Sequence, residues 1–285
     1  MNADIYQFKI GDFDCFAIND GTHEYSIETF FANVDRQEIE KALQSLNFPA
    51  DRIVSPYTSL YVDTGENHIL VDAGAGHFSS TVGRLLANLD EAGVEPTAID
   101  VIIITHAHPD HIGGLIQADG SPTYPNATIY TMEAEWDFWL GENALEKAPD
   151  FKDSIRLAHQ VFESLSSRFR YIHPECELAP GVCILEAYGH TPGHIAVEFF
   201  SLNDSVIYIS DSIFHPLHIE HPDWLPEEMY IFDIDQYRET ARRVLTKAVI
   251  KNSLVLGMHF PPFPSLGRVY ETSQGLFWWD PLLDS

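Results

Sequence analysis

The ten residues Thr105-His106-Ala107-His108-Pro109-Asp110-His111-Ile112-Gly113-Gly114 place four metal-binding side chains, His106, His108, Asp110 and His111, inside six positions. The run just upstream, Val101-Ile102-Ile103-Ile104, is short, apolar and β-branched, the signature of a buried strand. Pro109 cannot sit inside a ladder, so the strand ends before it and the ligands fall on the turn that follows. His106 and His108 are two apart on extended chain and project to the same side. Asp110 and His111 stand where the next helix would begin and point in other directions, which suits them to a second ion. Imidazole suits zinc and similar borderline metals, and an adjacent carboxylate favours a catalytic over a closed structural site. A histidine-rich surface loop is the alternative, but scattered histidines rarely arrive with an acid and two glycines in this order.

A metal centre needs further ligands, and three more strand-like runs end in candidates. Residues 182–185 lead into Tyr188-Gly189-His190-Thr191-Pro192-Gly193-His194, where glycines and a proline make a tight turn around His190. Val206-Ile207-Tyr208-Ile209 ends in Ser210-Asp211, and Leu254-Val255-Leu256-Gly257-Met258 leads into His259. Each candidate follows an apolar strand, so several strands are expected to deliver ligands to one sheet edge.

These pieces, in this order, resemble the metallo-β-lactamase superfamily. The matching segments are the histidine motif at 106–111, Gly189-His190-Thr191-Pro192-Gly193-His194, Ser210-Asp211 after its strand, and Gly257-Met258-His259-Phe260. Asp72-Ala73-Gly74, after Ile69-Leu70-Val71, is similar to the Asp-containing turn that such proteins carry ahead of the first motif. The resemblance implies two divalent ions, with zinc expected and manganese, cobalt or iron as alternatives. His106, His108 and His190 would hold the first, Asp110, His111 and His259 the second, and Asp211 would bridge them. Asp72 would orient a ligand histidine by accepting its other N–H. The resemblance also implies a four-layer αββα sandwich with the metals at one edge of its two sheets. The residue pattern alone supports only a layered α/β or α+β domain.

Composition bounds the rest. A chain of 285 residues with 45% apolar content can bury a sizeable core. No linker, repeat or low-complexity tract divides it, and ligands drawn from residues 106 to 259 need both halves folded together, so residues 1–285 read as one domain. Sixteen basic against 43 acidic residues give a formal charge of −27, which repels nucleic acid and acidic membrane surfaces. Three widely spaced cysteines fit a reducing compartment. With neither a basic start leading into an apolar core nor an apolar run of spanning length, a cytoplasmic protein is expected.

Along the chain, residues 4–10 and 13–19 read as a hairpin around Gly11-Asp12, and 57–63 and 68–72 as a second. Asp35 with Glu38 marks a helix start. Ser79 or Ser80 is expected to cap a helix carrying Val82, Leu85, Leu86 and Leu89 on one face. Residues 133–167 read as helices; the aromatic cluster Trp136, Phe138 and Trp139 is expected in the core, with a pocket wall or homodimer surface as the alternative. Phe30, Phe214, Phe260 and Phe263, together with Phe31, are the candidates for an apolar substrate pocket, with core packing as the alternative. His215, His218 and His221 are expected on a solvated loop, with the pocket mouth as the alternative. His194 is expected near the metal but not as a ligand, and His23, His68, His77, His159 and His173 read as ordinary.

The expected activity is hydrolysis of an ester, lactone or organophosphate ester of a small molecule by a hydroxide shared between the two ions. Asp110 and Asp211 are the acids expected to serve the chemistry as well as the metals, Asp211 by placing the bridge and relaying a proton. The tail His259-Phe260-Pro261-Pro262-Phe263-Pro264, followed by Gly267-Arg268, resembles the subgroup of acyl-homoserine lactonases and methyl-parathion-type hydrolases. Many lactonases of that subgroup carry a tyrosine three residues after the bridging aspartate. This chain has Phe214, which cannot donate a hydrogen bond; that tilts the expectation toward aryl esters or phosphotriesters, with Tyr188 as a substitute donor. The rival reading is a persulfide dioxygenase of the same fold, which keeps the two histidines and uses a single iron. A nuclease is disfavoured by the charge, and a non-catalytic scaffold by the full ligand set.

Overall fold

The structure, a computed structural model, describes residues 2–77 and 79–282. Its first sheet contains β1 (Ile5–Ile10), β2 (Phe13–Tyr25), β3 (Ile53–Asp63), β4 (His68–Val71), β5 (Val101–Ile103), β6 (Thr128–Met132) and β7 (Phe169–Ile172), in that order. The second contains β8 (Cys176–Ala179), β9 (Val182–Glu186), β10 (Ile195–Ser201), β11 (Asp204–Tyr208), β12 (Leu254–Leu256), β13 (Leu266–Glu271) and β14 (Phe277–Pro281), again with neighbours in sequence paired. Strands β4 to β7 run parallel, as do β11 and β12; the remaining pairs are antiparallel. Parallel neighbours need crossover connections, and the helices Leu85–Glu91, Glu133–Leu140, Lys152–Leu165 and Ile234–Lys251 lie within those connections.

The layers follow from the two-residue period of each strand. Ile69 and Val71 face the second sheet while Leu70 faces outward; Ile103 points in and Ile102 out. In the second sheet Val206, Tyr208 and Leu256 point in, whereas Ile207 and Val255 point out. Leu85, Leu89, Trp139, Val161 and Phe162 cover the first outer face, and Val244, Leu245 and Ala248 the second. Central strands apolar on both faces are what a sheet covered on both sides requires. The arrangement is an α+β, four-layer αββα sandwich.

Both expected hairpins form, and Asp35 caps the helix Arg36–Ser45 by accepting from Gln37 N at 2.9 Å. The helix expected from Ser79 or Ser80 starts later, at Leu85. Its cap comes from far upstream: Asp20 accepts the N–H groups of Ala75, Gly83 and Leu85 at 2.8, 3.1 and 2.7 Å. Gly83 takes φ +87°, which breaks the helical path, and Val82 turns into the inter-sheet core instead. Among the described residues no helix is long and apolar enough to cross a membrane.

Candidate metal centre

Asp72 follows β4, His106 follows β5, Asp211 follows β11 and His259 follows β12, so two pairs of parallel strands end at one edge of the sandwich. His190 reaches the same place from the β9–β10 connection. His106 Nε2, His108 Nδ1 and His190 Nε2 form a triangle with every side 3.0 Å. The tautomer of His190 is fixed, because its Nδ1 donates to the Tyr230 carbonyl at 2.7 Å, leaving a bare Nε2 lone pair aimed into the triangle. Burial drives the His190 pKa down to about 3. Burial and the neighbouring imidazoles hold those of His106 and His108 well below the usual range. Neutral imidazoles with converging lone pairs are the protonation state a cation needs.

The second group consists of Asp110, His111 and His259, whose ligand atoms lie within 4.8 Å of one another. His111 donates Nδ1–H to Asp72 Oδ2 at 2.7 Å, which turns its Nε2 toward Asp211 Oδ1, 3.5 Å away. Both of those atoms are buried without a hydrogen-bond partner. Asp211 stands between the groups: Oδ2 is 3.4 Å from His190 Nε2, 3.8 Å from His106 Nε2 and 3.4 Å from His259 Nε2. Burial disfavours charge on both His111 and Asp211, and their partners outweigh it. Asp72, Asp211 and Asp110 raise the His111 pKa well above the usual value, and His259 and His111 hold Asp211 well below the carboxylate range. Three nitrogens facing one point, a second mixed N/O set and a carboxylate with an unpaired oxygen between them fit two divalent cations.

Several groups orient this constellation. Asp72 adopts φ +59° and accepts from Thr105 N at 2.9 Å, Thr105 Oγ1 at 2.8 Å and Tyr208 O–H at 3.1 Å in addition to His111. Ser55 Oγ lies 3.2 Å from His259 Nδ1. His194 is no part of either group: it donates Nδ1–H to the Ala187 carbonyl at 2.9 Å and accepts the Asp211 N–H at 3.2 Å, fixing that backbone. Gly113 and Gly114 let the motif pack against the Asp72 turn, since a Cβ on them would lie 2.3 and 2.0 Å from the carbonyl oxygens of Ala75 and Ala73.

Over the metal groups opens a cleft of about 410 Å³, lined by His23, Tyr25, Phe30, Tyr57, Phe151, Phe214, Met229 and Tyr230 alongside the metal-facing residues. Phe214 stacks on His259 with ring centroids 6.1 Å apart and meets Phe30 edge-on at 5.7 Å. Phe30 and Phe214 thus lie where a pocket wall was expected. Phe260 does not: it is fully buried against Trp279 behind the sheet, because its strand-end position points it outward. Phe263 lines a neighbouring groove with Leu43, Phe48 and Pro262 instead. Phe31 is buried beneath the wall, against His218 at 4.7 Å. Tyr188 sits in another groove beside Gln236 and Arg243, so it is no substitute donor at the cleft.

His215 and His218 overturn the expectation of a solvated loop. Both are buried in the apolar cluster of Phe30, Phe31, Leu217 and Leu225, and His218 Nε2 donates to the Phe30 carbonyl at 2.9 Å. His221 stays at the rim, stacked on Trp224. The expected core aromatics lie in the core: Phe138 and Trp139 are buried, Trp136 packs half-buried on Phe162, and Trp139 also reaches the His108 ring at 5.3 Å. His23, Phe151 and Tyr230 went unread as cleft residues, as did Glu135, a buried acid behind the centre; no local pattern marks any of them.

Residues 52–259 match the metallo-beta-lactamase superfamily, and the chain belongs to that superfamily. Among solved structures it is similar to AidC, a dizinc quorum-quenching lactonase determined with the product N-hexanoyl-L-homoserine, at 26% identity and TM-score 0.90 over 99% of this chain and 98% of that one. It is equally similar to the hydrolase AbOPH, at 27% identity and TM-score 0.90 over 100% and 99% of the two chains. Against the N-acyl homoserine lactonase AiiA of Bacillus thuringiensis subsp. kurstaki it is 28% identical over 181 residues, spanning 56% of this chain and 63% of that relative.

Proposed function

We propose that this chain is a dinuclear metal-dependent hydrolase that opens a neutral lactone or a related ester, aryl ester or phosphotriester. The observation that carries the reading is Asp211, one carboxylate set within 3.8 Å of imidazoles from both metal groups. Two divalent ions held by these residues, zinc in our reading, would supply Lewis-acid chemistry, lowering the pKa of a water toward neutrality and polarising an ester oxygen. The chain's own residues supply the rest. Asp72 and the Tyr230 carbonyl lock the tautomers of His111 and His190, and His194 holds the Asp211 backbone. Asp211 is the acid placed to carry a proton to the leaving oxygen. Phe214 cannot donate, so hydrogen bonds to a bound carbonyl fall to the phenols of Tyr25, Tyr57 and Tyr230, which line the cleft.

The cleft also selects against charge. Among the described residues its lining holds three aspartates, Asp110, Asp150 and Asp211, and no lysine or arginine. Away from the ions themselves, a substrate bearing a further carboxylate or phosphate monoester would meet no basic side chain on these walls, whereas a neutral ester with an apolar chain would meet Phe30, Phe151, Phe214 and Met229. The similarity to AidC and AiiA supports a lactone as the first substrate to try. The complete Asp110–His111–His259 group favours two ions over the single iron of the dioxygenase reading. As finer expectations we keep a cytoplasmic setting, which the free cysteines Cys15, Cys176 and Cys183 support, a single domain drawing ligands from both sheets, and a homodimer. Elemental analysis alongside a panel of neutral lactones, aryl esters and phosphotriesters tests the proposal. Two ions per chain and turnover of at least one neutral class are expected. A fully loaded protein inert on the whole panel, or one iron with oxygen uptake on a persulfide, overturns it.

A further inference from the structure

Glu135 lies in the first turn of the helix Glu133–Leu140, is fully buried, and accepts two hydrogen bonds at each oxygen. Oε1 takes the Ala107 N–H at 2.9 Å and the Trp139 indole N–H at 2.5 Å; Oε2 takes the Thr191 hydroxyl at 2.7 Å and the Gly193 N–H at 3.0 Å. Ala107 is the residue between His106 and His108, and Thr191 and Gly193 flank the same turn as His190. One carboxylate therefore ties together both loops that build the three-nitrogen triangle, from 28 residues away along the chain for one loop and 56 and 58 for the other. The fit is close: a Cβ on Gly193 would lie 2.3 Å from the Glu135 backbone nitrogen.

Among the described residues no lysine or arginine pairs with Glu135, and burial pushes its pKa up. A buried carboxylate without a cation is costly, and an apolar residue would fill the helix face at less expense. Four converging donors accept only a group that offers acceptors at both ends, which a carboxylate does and a carboxamide does not. Its negative charge also sits behind the imidazoles, where it favours a cation in front of them.

We propose that Glu135 is the positioning residue of the His106–His108–His190 site, setting the separation of the two loops and with it the affinity for the ion held there. The proposal rests on the metal-centre reading and on no particular substrate. The test is Glu135→Gln in the full chain, with zinc affinity measured by chelator competition and thermal midpoints recorded with and without zinc. With its nitrogen at the Oε2 position the amide can donate to the Thr191 hydroxyl but leaves the Gly193 N–H unpaired, and the reverse orientation sets it against the N–H groups of both Ala107 and Trp139, so at least one of the four bonds and the negative charge are lost. We expect the affinity for one of the two ions to fall roughly 10–100-fold, with the other unchanged. Thr191→Val, which removes a single bond, should shift the same ion in the same direction by less, and it carries the test if Glu135→Gln fails to fold. Equal losses for both ions, or lower thermal midpoints with both affinities intact, would show a merely structural brace and overturn the assignment. An unaltered chain that binds fewer than two ions refutes the metal-centre reading separately, before any variant is compared.

Discussion

Replacing Asp72 by asparagine perturbs the other half of the centre and can be worked through bond by bond. The wild-type carboxylate faces five donors: Thr105 N at Oδ1, and Thr105 Oγ1, His111 Nδ1, Tyr208 O–H and, at 3.5 Å, Ser210 Oγ at Oδ2. Asparagine keeps most of them only if its oxygen takes the Oδ2 position, which sets its NH₂ against the Thr105 N–H. A buried donor left unpaired costs about 1–3 kcal/mol, and losing the charge assistance to His111 adds roughly 1 kcal/mol. The metal-free protein should therefore lose about 2–4 kcal/mol of stability. His111 also becomes a weaker base, so the ion held by Asp110, His111 and His259 should bind about 10–100-fold more weakly, while the three-histidine ion keeps its affinity. Denaturant unfolding of the metal-free protein and a two-step zinc titration read the two effects independently. An Asp72→Asn protein that binds both ions as tightly as the parent would refute the orienting role, whatever its stability.

The remaining predictions concern the bridge, the pocket wall and the motif's glycines. Asp211→Ala and His106→Ala should lose metal and hydrolysis together, and full turnover by a metal-free His106→Ala protein would contradict the mechanism. His218→Ala should retain both ions but lose about 1–3 kcal/mol of stability, because the buried Phe30 carbonyl is left without its donor; KM should rise as the wall loosens. Burial lowers the His218 pKa from 6.5 to about 4, so the unfolded chain binds the extra proton more readily. Stability from this group is complete above pH 6.5 and is lost as pH falls toward 4, by about 3 kcal/mol in all; urea titrations of parent and His218→Ala at pH 7 and 4.5 should show the gap between them narrowing in acid. Gly114→Ala, whose Cβ would lie 2.0 Å from the Ala73 oxygen, should shift the motif off the Asp72 turn and weaken metal binding in the same zinc titration.

Much of the centre was legible because its ligands sit next to strong local signals. Ile102 and Ile103 announce a strand, Pro109 ends it, and the histidines can only lie on the turn between. Orientation was less legible. Phe260 follows a ligand directly, yet its side chain turns to the outer face, a matter of strand register that a sequence of aromatics does not disclose. His215 and His218 look like loop residues because polar side chains among prolines usually are; their burial depends on Phe30, Phe31 and Leu225 arriving from elsewhere. Glu135 and Asp20 escaped notice for a shared reason: backbone N–H groups of distant loops make two of the four bonds to Glu135 and the three bonds to Asp20, and a backbone donor has no letter in the sequence. The helix expected at Ser79 failed on the same ground, since Asp20 supplies its cap from across the sheet.

The ligand-bearing strand ends belong to both sheets, so any bound ions act as rivets across the seam of the sandwich. Whatever separates the layers must first shed its cations. At a thousandfold excess of free ion over the dissociation constant, each rivet adds about 4 kcal/mol to the folded state. A cell starved of metal would then lose this protein through turnover of loosened molecules, and not simply through idle ones.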